Sequence, residues 1–202
     1  QHGDDLTIKV ELVDVRDNSH LWGARYDRKL SDLQAVQIEL ARDISQQLHP
    51  KISTETQQRL ARPASENPEA YELYLKGRYA LNNLTRQQQS GLGYFEQAVE
   101  REPRFALAYA GMAESYVLMA DLGATFKLPP EEAYTRAKAA ALKAVEIDET
   151  LAEAHVSLGL IAFNYEWDWA RAEREFKRAI ELKPDSVPAH HWYSHVLISQ
   201  GR

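Results

Sequence analysis

Phe95-Glu-Gln-Ala98-Val99-Glu-Arg-Glu-Pro103 recurs as Phe176-Lys-Arg-Ala179-Ile180-Glu-Leu-Lys-Pro184, and more weakly as Ala141-Leu-Lys-Ala144-Val145-Glu-Ile-Asp-Glu149. The first and weaker copies are offset by 46 residues, the weaker and last by 35. A small residue precedes each copy at the same stage: Gly77, Ala113 and Gly159. Aromatics flank these positions, with Tyr74 and Tyr79, Tyr109 and Tyr116, and Phe163. Each element has a physical reason. Small residues let two helices approach closely, an aromatic fills the gap between them, and Pro ends a helix because it cannot donate and clashes with the preceding turn. A fourth half-unit follows in Val187–Gly201, with Tyr193.

The pattern resembles the tetratricopeptide repeat, a helix–turn–helix unit of about 34 residues. The resemblance covers about residues 68–202, as three repeats and one further first helix, seven helices in all. It implies a right-handed solenoid. The 46-residue offset requires an insertion, placed at Asp121–Pro130 where Leu-Gly and Leu-Pro-Pro break the pattern. The middle repeat lacks both the second-helix aromatic (Ala141) and the closing Pro (Glu149). Two start signals agree: Asn67-Pro68 sets a capping side chain before a Pro at the first helical position, and Thr150-Leu-Ala-Glu153 reads as a capping box.

Upstream the period changes. Leu6, Ile8, Val10 and Leu12 alternate with Thr7, Lys9 and Glu11, as in a half-buried strand. Asp17-Asn18-Ser19 is turn chemistry, and His20–Tyr26 reads as the returning strand of a hairpin over 5–27. Ser31-Asp-Leu-Gln34 is a second capping box, followed by a helix with Leu33, Val36, Leu40, Ile44 and Leu48 on one stripe, ending near Pro50. The fold class expected is mainly α: residues 1–62 as a hairpin and helix from an α/β domain, residues 63–202 as the solenoid. A hairpin with one helix buries little surface by itself, so a cut through a larger domain is expected, and open strand edges invite a homodimer. The last helix, with Leu197 and Ile198, offers a second route to a homodimer, since terminal repeats need a polar cap.

Composition narrows the function. The chain has 202 residues, 24 basic and 30 acidic side chains, a net charge of −6 and no cysteine. That excludes disulfide scaffolds, thiol nucleophiles and thiolate zinc sites, and an acidic balance argues against nucleic acid. No apolar run reaches membrane-span length, so this segment is not expected to insert in a membrane. No Gly-rich phosphate loop or Gly-x-Ser-x-Gly elbow occurs, no Ser has reason to pair with a His, and the acids sit at spacings that suit solvated helix faces, so neither an enzyme nor a cofactor is expected. Glu173–Lys177 and Glu175–Arg178 read as surface ion pairs.

His20-Leu-Trp-Gly-Ala-Arg-Tyr-Asp-Arg-Lys-Leu-Ser-Asp-Leu33, Tyr71-Glu-Leu-Tyr-Leu-Lys-Gly-Arg78 and Phe163-Asn-Tyr-Glu-Trp-Asp-Trp169 together resemble a bacterial arrangement. In it, a TolB amino-terminal-like α/β domain precedes tetratricopeptide repeats. The resemblance implies a regulatory region downstream of an effector: a Ser/Thr protein kinase, a class III adenylyl cyclase or a winged-helix transcription regulator. Such segments occur on either side of a membrane, the cytoplasm being favoured over the periplasm.

Stacked first helices of such a solenoid line a concave face that takes protein or peptide partners. Counting from the small residues, that face carries Tyr71, Tyr74, Arg78, Leu81 and Asn82, then Leu107, Ala110, Glu114, Val117 and Leu118. It continues with Glu153, Val156, Leu160, Phe163 and Asn164, then His191 and His195. The Lys/Asn set of a carboxylate clamp is absent. Two other readings stand beside peptide binding: filling of the groove by the chain's own helix at 32–48, and a small-molecule-sensing domain. His190, His191 and His195 form a metal-like cluster, read as ordinary packing or surface histidines because a third convergent ligand is missing. Trp167 and Trp169 read as staples between two helices, with a recognition surface as the alternative.

Overall fold

The computed structural model describes residues 5–29, 32–48, 64–82, 88–122 and 128–202. The elements in chain order are strands β1 (Asp5–Asp14) and β2 (Ser19–Lys29), then helices α1 (Leu33–Leu48), α2 (Pro68–Asn82), α3 (Gln88–Arg101), α4 (Ala106–Leu122), α5 (Pro130–Ile147) and α6 (Ala152–Ile161). A single π-helical turn (Ala162–Glu166) extends α6, and α7 (Trp169–Leu182) and α8 (Val187–Ser199) complete the described elements. The fold is mainly α, with a two-stranded hairpin at its N-terminal end. The chain divides into two compact units, residues 1–71 and 72–202, and the boundary falls inside α2.

In the first unit β1 and β2 pair antiparallel, from Asp5 opposite Lys29 to Asp14 opposite Ser19, with an irregularity at Leu12/Val13. Asn18 turns the chain at φ 60°, and the Ser19 amide donates to Asp17 Oδ1 at 2.9 Å. The left-handed region suits Asn because its short side chain can bond locally. Tyr26 of β2 and Val36 of α1 are buried. The Tyr26 hydroxyl donates to Asp43 at 2.7 Å. Burial and that carboxylate push the phenol up to about 12. The capping box at Ser31 lies outside the described residues; Gln34 accepts the Ser65 amide through Oε1 at 3.2 Å. Pro50 also lies outside them.

The second unit is built on ring-to-glycine contacts. A Cβ at Gly77 would lie 2.5–2.9 Å from Phe95 ring atoms, and one at Gly111 would lie 2.7–2.9 Å from the same ring. Gly159 stands in the same relation to Phe176, at 2.7–2.9 Å. Both phenylalanines are fully buried. The middle repeat solves the same problem with smaller groups. Ala113 packs with Ala140, Ala141 and Leu158, so without a ring at 141 an alanine methyl fits where its neighbours need hydrogen. This explains the weak middle copy. The extra residues lengthen α4, the connection 123–129 and the start of α5 together, with residues 123–127 outside the described set.

Helix starts agree with the sequence at one site and depart at another. Asn67 Oδ1 accepts the amides of Glu69 (3.0 Å) and Ala70 (3.2 Å), capping α2. The box expected at Thr150 does not form. Leu151 stands at the N-cap of α6 with no side-chain bond, while Thr150 donates its amide (2.9 Å) and hydroxyl (2.7 Å) to Asp148 Oδ1. The bond to Asp148 turns the hydroxyl back toward residue 148 and away from the amides of α6.

Candidate functional site

The first helices of the repeats are α2, α4, α6 and α8, and the residues expected to line their shared face divide by depth. Leu81, Val117 and Val156 are buried at 4%, 3% and 8% exposure, as is Ala110 at 4%. They support the face and offer no surface to a partner. Tyr74 is spent internally, its ring 5.9 Å from Phe95 and 5.4 Å from Phe105 between centroids. Leu160 and Phe163 are half-buried and pack on the core around Phe176, and Leu160 also reaches the core around Tyr116. Tyr71 belongs to the N-terminal unit, where it is buried and its hydroxyl donates to Gln37 Oε1 of α1.

The accessible part of the face is polar and largely internally paired. Arg78 of α2 bridges to Glu114 of α4. Burial works against the Arg78 charge, but Glu114, Tyr74 and Glu153 outweigh it and hold the guanidinium above its ordinary value. Glu153 of α6 pairs with Lys183 at 3.0 Å. Asn82 is exposed and Leu107 and Leu118 are half-buried. Asn164 donates to Asp121 Oδ1 at 3.4 Å, and the same carboxylate receives the Tyr134 hydroxyl. His191 and His195 are exposed on α8, their rings 4.9 Å apart, with Trp192 5.2 Å from each. His190 faces elsewhere, with Nε2 2.8 Å from the Pro184 carbonyl. Among the described residues no three His, Asp or Glu converge as metal ligands, and no described helix is long and apolar enough to cross a membrane.

Two sequence readings are corrected here, and one residue the sequence did not single out comes forward. Glu173 does pair with Lys177, at 2.8 Å, but Glu175 does not pair with Arg178. Glu175 turns inward to His155 Nδ1 at 2.8 Å, and Arg178 bonds Glu181 at 3.2 Å. His155 carries no prominent sequence signal beyond being a polar ring in the apolar run Leu151–Ile161, yet it is buried, with its Nε2 3.2 Å from the Glu149 carbonyl. The Glu175 carboxylate, against the opposing cost of burial, raises its pKa from the ordinary 6.5. Finally, Trp167 is no staple: it is 73% exposed. The αL conformation that ends the π turn, φ 57° and ψ 22°, carries its side chain away from the core.

No protein-family model matches the chain. Among curated proteins it is 29% identical over 158 residues to "Putative adenylate cyclase 3" of Rhizobium meliloti, covering 77% of this chain and 26% of that protein. It is 31% identical over 131 residues to the transcriptional regulator HilA of Salmonella typhimurium, covering 64% of this chain and 23% of that one. The chain therefore spans about a quarter of the length of these relatives. Among solved structures it is similar to a thermophilic TPR protein of Thermus thermophilus (TM-score 0.58, 19% identity, 86% of this chain and 84% of that one). It is similar also to the Sgt2 TPR domain of Aspergillus fumigatus (TM-score 0.54, 18% identity, 69% and 84%). A further similar structure is the first TPR of Spaghetti (RPAP3) bound to an HSP90 peptide (TM-score 0.52, 14% identity, 66% and 94%). Paired helices packed ring-to-glycine and these neighbours agree: the chain has the tetratricopeptide-repeat fold.

Proposed function

We propose that this chain is a non-enzymatic protein-interaction module that takes a partner segment on the concave face of its repeats. The observation that carries the reading is the Arg78–Glu114 bridge between successive first helices, on a face that keeps Asn82, Leu118 and Asn164 within reach of solvent. A solenoid presents such a face as an extended binding surface. The peptide-bound RPAP3 domain is a precedent for the fold. The two curated relatives, one named for a cyclase and one for transcriptional regulation, support placing the module in a larger bacterial signalling protein, where it regulates an effector domain.

The test is selection of binding peptides from a random display library, followed by titration of the best one. The double variant Arg78→Ala/Glu114→Ala removes the bridge without stranding a charge. It is expected to weaken binding about tenfold, equivalent to about 1.4 kcal/mol, at an unchanged melting temperature. Retained affinity would move the site off this face.

A further inference from the structure

Asp121 is exposed in the last turn of α4, a turn with no basic residue. The carbonyl end of a helix favours a cation. The Asp121 carboxylate accepts the Tyr134 hydroxyl and, at 3.4 Å, the Asn164 amide, yet among the described residues no cation pairs with it. Its two donors tie it to the π turn. Tyr134 stacks on Tyr165 at 4.9 Å and 15°, and Asn164 precedes Tyr165 in the chain. The turn then runs through Trp167 to Asp168, a second exposed carboxylate without a paired cation among the described residues. Asp168 Oδ1 accepts the Arg171 amide at 2.9 Å, so the N-terminus of α7 offsets part of its charge and Asp121 is the stronger pole. The neighbouring cations, Lys138 and Arg171, are both held by Glu166.

The rings beside these acids stay in solvent, Tyr165 and Trp169 each at 38% exposure and Trp167 at 73%. Trp167 also has a left-handed backbone, at φ 57°, where a bulky side chain is an outlier. The π turn enforces it: the Ala162 carbonyl accepts the amides of both Trp167 and Asp168, the latter at 3.0 Å. The fold gains neither burial nor a relaxed backbone from this indole. Backbone strain that the surroundings over-determine clusters at sites of function.

We propose that Asp121, Tyr165, Trp167 and Asp168 form a docking surface for an arginine-bearing segment of a partner protein. Charge complementarity selects the occupant. A partner that covers the rings also covers the acids next to them. An apolar segment would bury those carboxylates unpaired, which is costly. An anionic segment would meet two like charges, with the nearby cations already held by Glu166. A guanidinium suits both parts of the surface: its plane stacks on an aromatic face, and its forked donors match a carboxylate. A lysine ammonium brings the charge without the plane. The surface borders the proposed concave face at Asn164 but does not rest on the reading of the Arg78–Glu114 bridge.

The experiment titrates the full chain with a capped peptide of alternating glycine and arginine, and with its lysine and citrulline counterparts, following the tryptophan indole N–H signals by NMR. The arginine peptide is expected to shift the Trp167 signal saturably, the lysine peptide to bind more weakly, and the citrulline peptide, which keeps the plane and loses the charge, not to bind. Asp121→Asn keeps an acceptor for Tyr134 and removes only the charge. It and Trp167→Gly should each weaken binding about tenfold. Trp167→Gly should leave the melting temperature unchanged or higher, because glycine fits φ 57° without strain. Glu100→Gln, which neutralises an exposed acid of α3, and Arg78→Ala/Glu114→Ala should leave the affinity unchanged. The proposal is overturned by absence of saturable binding, by a lysine or citrulline peptide that binds as tightly, or by full affinity in Asp121→Asn or Trp167→Gly. It also falls if Glu100→Gln weakens binding as much as Asp121→Asn, which would reduce the effect to net charge. Loss of binding in the Arg78/Glu114 variant would place the segment on the concave face instead, and a lowered melting temperature in Trp167→Gly would make the indole a staple; either sinks the proposal.

Discussion

At the scale of single residues, volume and proton count decide what each position tolerates. Gly159 is the clearest volume case, because an added methyl would lie 2.7–2.9 Å from three atoms of the buried Phe176 ring. Gly159→Ala raises helix propensity by about 1 kcal/mol but overpacks the contact at a cost of roughly 1–3 kcal/mol. A net loss of stability is therefore expected in urea titration. The same change at Gly93, where an added Cβ meets nothing within 4 Å, should stabilise. His155 is the proton case. Its two ring nitrogens face the Glu175 carboxylate and the Glu149 carbonyl, both acceptors, so only the imidazolium satisfies both. Arg171, 3.8 Å from Glu175, shares that carboxylate, and Arg178 works against the positive ring. A pKa raised in the fold gives stability that is complete below the unfolded value near 6.5 and lost as pH rises through the folded value. The urea midpoint of the native protein should thus fall relative to that of His155→Gln as pH climbs from 6 to above the folded pKa. Parallel curves for the two proteins would show that the ring is neutral in the fold.

At the scale of elements, caps separate what a sequence discloses from what it conceals. Asn67 holds two amides of α2, and Asn67→Ala should cost about 1 kcal/mol. Thr150 holds none of α6, because Asp148 has taken it; Thr150→Ala should cost less than half as much in the same urea assay. Both sites carry a capping side chain in sequence, one before a Pro and one in a capping box, but a cap motif names acceptable residues and not their competitors. The helical pairs were legible because a ring at 95 or 176 needs an absent side chain at 77 or 159, and that need is written in residue volumes. The depth of the concave face was not. Counting along a helix places Val117 and Val156 on the same face as Glu114 and Leu160, but it carries no information on how closely the next helix approaches, and both valines sink below the surface. His155 with Glu175, 20 residues apart, and the outward turn at Trp167 escape for the same reason: their partners, or lack of them, are set by tertiary contact. The expected Glu175–Arg178 pair obeyed the helix-surface rule and lost to a buried histidine.

At the scale of the whole molecule, the repeat unit is chained together by local cores. One core joins Tyr116 and Val117 of α4 to Ala133 and Tyr134 of α5 and Ile161 of α6. Another joins Val156 of α6 to Phe176 of α7 and Val196 of α8. Leu160 packs against both, so α6 is the link through which they communicate. Where each repeat touches only its neighbours, stability is a sum of local terms and need not be lost all at once. Phe176→Ala removes a fully buried ring, a loss of roughly 3–5 kcal/mol, and tests this directly. If the cores are quasi-independent, native-state hydrogen exchange should quicken in α6, α7 and α8 while α4 and α5 keep most of their protection. Uniform loss of protection from α4 to α8 would mean that the unit folds as one body and that α6 couples the two cores strongly. The distinction bears on function. In the local case a partner bound on the proposed Arg78–Glu114 face would leave the packing of α7 and α8 little changed, while in the coupled case it would stabilise the α6 packing on which α7 and α8 depend.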